Sequence, residues 1–217
     1  MPGDKIKNKK TGEVRPYNRP VTKSQCLESA RVSLLHANEL IKYNFLRYDK
    51  VYSVDLTFSK PPESYEEFHM CIKNYTRRLK RMYKEIKYVF VKEVGVSGRF
   101  HTHAIMWAPN LSELDIRSKW KYGEQVCVQI LKTNDDLIYK ASYLTNITGF
   151  SESACKKRNN LMYFPAYKHL YLASKNLENP KFKKGKPNVP VKRTIFETPE
   201  EKIIKFGASY HTFEAAW

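Results

Sequence analysis

Two histidines separated by a single residue, His101 and His103, form the segment with the clearest potential for chemistry. They lie in a run rich in β-branched and aromatic residues that predicts a strand. Residues i and i+2 of a strand point to the same face, so both imidazoles converge on one spot, as a pair of metal ligands must. Two half-exposed strand histidines are the simpler alternative that this pattern leaves open.

Glu93 is the candidate third ligand. It precedes the turn signal Gly-Val-Ser-Gly at residues 95–98, and in a tight hairpin it comes opposite or diagonal to His101. A register shift of one residue would turn Glu93 to the other face of the sheet. Two histidines and one carboxylate leave coordination positions free, which suits a catalytic divalent ion that accepts a substrate oxygen.

Tyr143, on a predicted helix, is the candidate nucleophile. At about 100° per residue it projects almost opposite the centre of the helix's apolar face. That face consists of Leu137, Ile138, Ala141 and Leu144. A phenol with an ordinary pKa of about 10 attacks a phosphate poorly, so an ion that polarises the phosphate and a nearby cation must activate it. Lys140 is the candidate cation and Tyr139 the rival nucleophile, while a surface tyrosine and a solvated helix lysine are the alternatives.

The elements that position these side chains follow from apolar periodicity and from turn and cap signals. Helices are predicted near 22–44, from the capping box at residues 64–67 to about 84, and near 112–120. A fourth helix is predicted to begin at an Asn134 or Asp135 cap and to run to about Ile147, before Gly149 stops it. Strands are predicted at 51–58, 88–94, 99–107 and 125–130, with a further strand at 167–172 after a polar basic loop. This order favours an α+β domain with a central antiparallel sheet of about five strands and flanking helices.

The net charge of the chain indicates which kind of molecule it binds. The chain has 39 Lys and Arg against 22 Asp and Glu, a net charge of +17 and a pI near 9.6, which favours nucleic acid over a membrane surface. We predict a flexible basic arm over residues 1–20, one domain over 21–177, and a Lys/Pro-rich strap with a C-terminal segment over 178–217. The basic face of the 73–84 helix segment is a further candidate for phosphate contact.

Several classes of protein are excluded or disfavoured. The chain contains no apolar run of about 18 residues and no secretory signal, so no membrane association is predicted. Four scattered cysteines are predicted to be free thiols in a reducing, cytoplasmic compartment: Cys26, Cys71, Cys127 and Cys155. A phosphate-binding Gly-x-x-x-x-Gly-Lys-Ser/Thr motif is absent from the sequence, so no ATPase activity is predicted.

In chain order, these segments resemble the three motifs of the HUH endonucleases. Leu56-Thr57-Phe58 is similar to motif 1, Glu93 with Gly98-Arg99-Phe100-His101-Thr102-His103 to motif 2, and Ala141-Ser142-Tyr143-Leu144-Thr145-Asn146 to motif 3. Residues 167–177 also resemble a segment after motif 3 in initiators of bacterial phages and plasmids. The resemblance covers about residues 50–180 and is strongest to rolling-circle replication initiators (Rep proteins) of small plasmids, phages and single-stranded DNA viruses.

The resemblance implies a ferredoxin- or RRM-like nuclease domain in which His101, His103 and Glu93 bind Mg²⁺ or Mn²⁺. Tyr143 would attack single-stranded or hairpin origin DNA in the host cell, hold the 5′ end as a phosphotyrosine and free a 3′-OH, and the reverse reaction would join ends. Many members carry a lysine where this chain has Asn146, so the cationic role falls to Lys140. Because the chain carries no ATPase motif, a helicase and a DNA polymerase of the host are the expected partners.

Two alternatives remain at this stage. A transposase or relaxase of the same superfamily would use the same chemistry for strand transfer, although relaxases usually have three histidines and an N-terminal tyrosine. A non-catalytic single-stranded nucleic-acid-binding module would also be basic and aromatic. Such a module needs aromatic platforms where this chain has His101 and His103.

Overall fold

The computed structural model describes residues 5–16, 19–95, 98–148, 150–180, 193–197 and 203–207. The helices are α1 (Leu27–Phe45), α2 (Tyr65–Met82), α3 (Glu113–Lys119), α4 (Asn134–Thr145) and α5 (Glu152–Asn159), with single 3-10 turns at Lys23–Cys26 and Asn160–Tyr163. The strands are β1 (Lys5–Lys7), β2 (Val14–Pro16), β3 (Val51–Leu56), β4 (Lys87–Val94), β5 (Phe100–Trp107), β6 (Val126–Leu131), β7 (Tyr171–Ala173), β8 (Arg193–Glu197) and β9 (Ile203–Gly207).

Strands β3 to β7 form a five-stranded sheet in the order β6-β3-β5-β4-β7, and every neighbouring pair is antiparallel. The predicted α+β class, with a five-stranded antiparallel sheet and flanking helices, is therefore confirmed. β5, which carries both histidines, lies at the centre of the sheet. β1 pairs with β2, and β8 with β9, as separate two-stranded ribbons.

Side chains alternate between the two faces of the sheet along each strand, and different helices cover the two faces. On β4, Phe90 meets the ring of Tyr75 of α2 edge to face, and the Lys92 ammonium lies 2.5 Å from the Tyr65 hydroxyl of the same helix. The intervening residues point the other way. Val91 and Glu93 line a small cavity together with side chains of α1 and α4. The sheet therefore lies between α2 on one face and α1 with α4 on the other, and Glu93 faces α4.

Helix α4 begins and ends differently from its prediction. Thr133 is the cap, because its hydroxyl accepts from the Asp136 amide while the Asp136 carboxylate accepts from the Thr133 amide. The prediction that Asn134 or Asp135 caps this helix is therefore wrong, since both lie inside the first turn. The helix ends at Thr145, before the predicted Ile147. Gly149 lies outside the described residues.

The segment after α4 was predicted to be a polar basic loop, and this prediction is wrong. Residues 152–159 form α5, in which the Ser151 hydroxyl caps the helix by accepting from the Ala154 amide. Ala154 is the sole buried residue of this helix, so the segment has no apolar stripe to reveal it. The strand predicted at 167–172 is also shorter and later, at β7, because pairing with β4 begins at Tyr171.

The structure describes only part of the predicted arm and of the predicted strap. The predicted arm contains the β1–β2 ribbon, and most of the predicted strap, residues 181–192, lies outside the described residues. The division into arm, domain and strap stays a prediction. All four cysteines are free, as expected. None of the described helices combines the length and apolar character needed to span a bilayer.

A buried carboxyl on α1 provides a test of this packing. Glu39 is 7% exposed, and burial raises its pKa from 4.5 to about 7 despite the nearby charge of Lys42. Between these values the folded state holds a proton that the unfolded state releases. The stability that this proton contributes is complete below pH 4.5 and is lost as the pH rises through 7.

Glu39→Gln should therefore gain stability relative to wild type as the pH rises from 4.5 to 8, by on the order of 3 kcal/mol. Urea unfolding at several pH values measures the difference. Glu28→Gln, the same substitution at an exposed position of the same helix, is the control. A pH-independent difference for Glu39→Gln would contradict the burial of an ionisable group at this position.

Candidate active site

The β4–β5 hairpin brings the first three site residues together. Its register pairs Glu93 directly with His101 and Val91 with His103, so all of these side chains point to the α4 face. Gly98 in the turn has φ +73, a backbone conformation that glycine adopts readily. The predicted cross-strand position of Glu93 is thus confirmed.

The ligand atoms of Glu93, His101 and His103 form a compact cluster. The Nε2 atoms of both histidines lie 3.4 Å from Glu93 Oε2, and one ligand atom of each residue lies within 4.8 Å of the others. Glu93 Oε1 is buried and lies 2.8 Å from the ammonium group of Lys157, so Oε2 is the carboxylate oxygen that faces the histidines. Two imidazole nitrogens with one carboxylate oxygen fit a divalent cation. These three residues could therefore bind a metal ion.

Asp55 orients the second histidine from the neighbouring strand. β3 pairs Asp55 with His103, and the Asp55 carboxylate lies 2.5 Å from Nδ1 of His103. This contact leaves Nε2 directed at Glu93. Burial disfavours the charged imidazolium, but the carboxylates of Asp55 and Glu93 outweigh it and raise the pKa of His103. Asp55 is thus a carboxylate that fixes the orientation of a candidate ligand imidazole.

Two lysines from different helices contact the two carboxylates. Lys140 of α4 lies 3.7 Å from Asp55, and Lys157 of α5 lies 2.8 Å from Glu93 Oε1. Burial alone would raise the pKa of Glu93, but hydrogen bonds from both histidines, with the charges of His103 and Lys157, lower it well below its ordinary value. Both carboxylates are therefore held as anions, the form in which they bind cations.

Tyr143 lies beside this cluster, at the C-terminal end of α4. The Lys157 ammonium is 4.7 Å from the centre of the Tyr143 ring, so one cation touches both the tyrosine and Glu93. Tyr143 is 47% exposed and Tyr139 is 73% exposed, and their rings stack with centroids 6.5 Å apart. Tyr143 is the tyrosine in contact with the lysine that pairs with Glu93.

A cleft of about 580 Å³ opens next to His101, within the range of about 300–1,000 Å³ that is usual for ligand sites. Its wall forms where the loop after α3 docks on the end of β3, since the Trp120 indole donates to the Thr57 carbonyl. Gly123 is required in this loop, because a Cβ there would collide with the same carbonyl oxygen. The cleft is lined by Thr57, Phe58, Ser59, Pro61, Gly95, Arg99, Phe100, His101, Glu124 and Gln125.

The structure thus brings together all predicted site residues and adds two. Glu93, His101 and His103 form one cluster, and Lys140 joins it through Asp55, whereas Tyr143 joins it through Lys157. Sequence reasoning missed Asp55 and Lys157. A carboxylate within the apolar strand 51–58 was the available signal for Asp55. No local signal pointed to Lys157.

Comparison with known proteins supports a link to DNA replication. Residues 51–148 match the model of a family described as replication-associated protein ORF2/G2P. This stretch contains β3, the β4–β5 hairpin and α4, and hence every predicted site residue. The similarity supports a replication initiator, or Rep-like, protein.

The chain also has a weak similarity to a solved structure. The hypothetical protein ORF119 from Sulfolobus islandicus rod-shaped virus 1 is 11% identical, with a TM-score of 0.34 over 55% of this chain and 93% of that chain. No curated protein matches the sequence.

The Asp55–His103 contact predicts an effect on metal binding. Asp55→Asn removes the negative charge beside Nδ1 of His103, so we expect Mn²⁺ affinity to fall by about 10–100-fold. Titration of Mn²⁺ monitored by electron paramagnetic resonance measures it. Asp49→Asn, before the same strand, is the control and should bind Mn²⁺ as wild type does. Equal affinity in wild type and Asp55→Asn would show that Asp55 does not orient the ligand.

Proposed function

We propose that this protein is a rolling-circle replication initiator of the HUH type that nicks and rejoins single-stranded DNA through a covalent 5′-phosphotyrosine on Tyr143. The observation that carries the proposal is the position of Tyr143. Its ring contacts Lys157, whose ammonium also pairs with Glu93 of the Glu-His-His cluster. A candidate nucleophile and a candidate metal site are thus joined by one side chain. The family match over residues 51–148 supports a role in replication.

Each residue of the candidate site has its own role in this proposal. Glu93, His101 and His103 would hold Mg²⁺ or Mn²⁺, which when bound polarises a phosphate oxygen and offsets its charge. Asp55 keeps Nε2 of His103 directed at the cluster, and Lys140 lies against Asp55. The phenol oxygen of Tyr143 forms a bond to phosphorus as the bond to the 3′ oxygen breaks. The phenol proton is released and the 3′ oxygen takes up one proton, so one phosphodiester replaces another and the step is reversible.

The substrate strand would reach the site through the cleft beside His101. Arg99 is exposed on its rim and can contact a phosphate. The basic face of α2 lies on the opposite side of the sheet, because α2 packs against Phe90 and Lys92. That face therefore contributes to non-specific attraction of DNA and not to the chemistry.

Formation of a covalent adduct tests the nucleophile. Wild-type protein incubated with Mn²⁺ and a single-stranded origin oligonucleotide should give a shifted band that resists denaturation. Tyr143→Phe should abolish this band, and Tyr139→Phe, one turn away on the same helix, is the matched control that should retain it. Loss of the adduct in Tyr139→Phe with retention in Tyr143→Phe would identify Tyr139 as the nucleophile. No adduct on any origin strand would favour a non-catalytic binding module.

The role of the histidines is tested by measuring DNA nicking and DNA binding separately. His101→Ala should lower the nicking rate by at least about 100-fold, since the phosphate loses its ion, while salt-dependent DNA affinity changes less than about threefold. Nicking assays and fluorescence anisotropy over a range of salt concentrations measure the two effects. Simultaneous loss of nicking, DNA binding and thermal stability would assign a structural role to His101.

A further inference from the structure

We infer that Lys157 is a positioning residue that ties the end of the nucleophile helix to the metal-binding carboxylate. This inference rests on the function proposed above and adds a residue from outside the segment that matches the replication family. Residues 51–148 contain the other site residues, whereas Lys157 lies beyond them on α5. The role follows from what its ammonium group touches.

The Lys157 ammonium contacts both parts of the site. It donates hydrogen bonds of 2.6 Å to the Tyr143 carbonyl and 3.1 Å to the Leu144 carbonyl. It also forms the 2.8 Å ion pair with Glu93. The ammonium lies over the Tyr143 ring as well, so the position of that ring depends on the same group. A single side chain therefore sets the distance between the tyrosine and Glu93.

Helix α4 needs this contact because the carbonyl groups at its C-terminal end lack hydrogen-bond donors within the helix. The last carbonyls of any α-helix lack partners within the helix, and cations near that end are stabilising. The last turn of α4 contains no basic residue. Helix α5 supplies one instead, since Lys157 binds the carbonyls of Tyr143 and Leu144 in the last turn of α4. Arg158 of α5 donates to the carbonyl of Ile147, two residues beyond the end of α4, at 2.7 Å.

The same segment also holds the hairpin that carries the metal ligands. The Asn160 side chain donates to the Val94 carbonyl at 2.6 Å, directly after Glu93. Tyr163 packs against the turn, where its hydroxyl would lie 3.4 Å from a Cβ on Gly98. Residues 152–163 therefore brace both the end of α4 and the β4–β5 turn, with Lys157 between them.

The surroundings of Lys157 favour positioning over direct contact with DNA. Its side chain is 11% exposed, and its ammonium is engaged by two carbonyls and one carboxylate. Lys156, the next residue, is 52% exposed and pairs with Glu152 on the outer surface of the same helix. Neighbouring lysines of α5 therefore offer a matched pair of variants, one inside the site and one outside it.

Lys157→Met and Lys156→Met test the inference in the full-length protein. Lys157→Met should slow adduct formation by on the order of 100-fold, because misplacing a reacting group by about 1 Å has an effect of this size. Its Mn²⁺ affinity should equal or exceed that of wild type, because the cation that competes for Glu93 is gone while both histidines still contact the carboxylate. Hydrogen–deuterium exchange should accelerate in residues 137–148 and stay unchanged in 87–94. Lys156→Met should match wild type in all three measurements.

Three results would overturn the inference: adduct formation at the wild-type rate, loss of Mn²⁺ binding together with activity, or a fall in DNA affinity that marks Lys157 as a phosphate ligand. If Lys157→Met fails to fold, Lys157→Gln, which is uncharged but can donate to a carbonyl, takes its place and should show the same pattern more weakly. If wild type forms no adduct, the proposed function fails, but the exchange and Mn²⁺ measurements still decide whether Lys157 ties α4 to Glu93.

Discussion

The register between β4 and β5 is the constraint on which the rest of the site depends. Side chains alternate across a sheet, so a slip of one residue would move Glu93 to the α2 face and bring Lys92 to the histidines. Both faces oppose such a slip. Lys92 donates to the Tyr65 hydroxyl and to the His169 carbonyl on one side, while Glu93 meets His101, His103 and Lys157 on the other. Packing on the α2 face thus specifies the geometry of the candidate metal site on the opposite face.

Charge balance explains how buried ligands persist in this position. The carboxylates of Glu93 and Asp55 are matched by Lys157 and Lys140, so the cluster is close to neutral when its histidines are uncharged. Burying two unpaired carboxylates would instead raise their pKa values and protonate them. Addition of a divalent cation makes the site net positive, which suits a phosphodiester carrying one negative charge. Together with the histidines, the lysines therefore balance the two carboxylates before an ion binds, and a site that held an ion would attract DNA.

Local signals could predict most of the fold and the centre of the site. The strands, the hairpin turn and the Ser64 cap of α2 are short-range features, and they sufficed to place Glu93 opposite His101. Asp55 could not be assigned because its role depends on pairing between β3 and β5, which are 48 residues apart at the Asp55–His103 contact. Lys157 was missed because α5 buries only Ala154 and has no apolar period. Tertiary contacts that no local pattern encodes thus supplied the two missing residues.

The orientation of α4 creates an electrostatic problem that α5 resolves. The C-terminal end of a helix carries a partial negative charge of about half an elementary charge, and Tyr143 lies at that end of α4. A phosphate approaching this tyrosine would meet the negative end of the helix. Lys157 binds two of the last carbonyls of α4, and Arg158 binds the Ile147 carbonyl just beyond the helix, so both place positive charge where the repulsion would arise. The basic segment that gave no apolar pattern in the sequence is therefore what makes the end of α4 compatible with a polyanionic substrate.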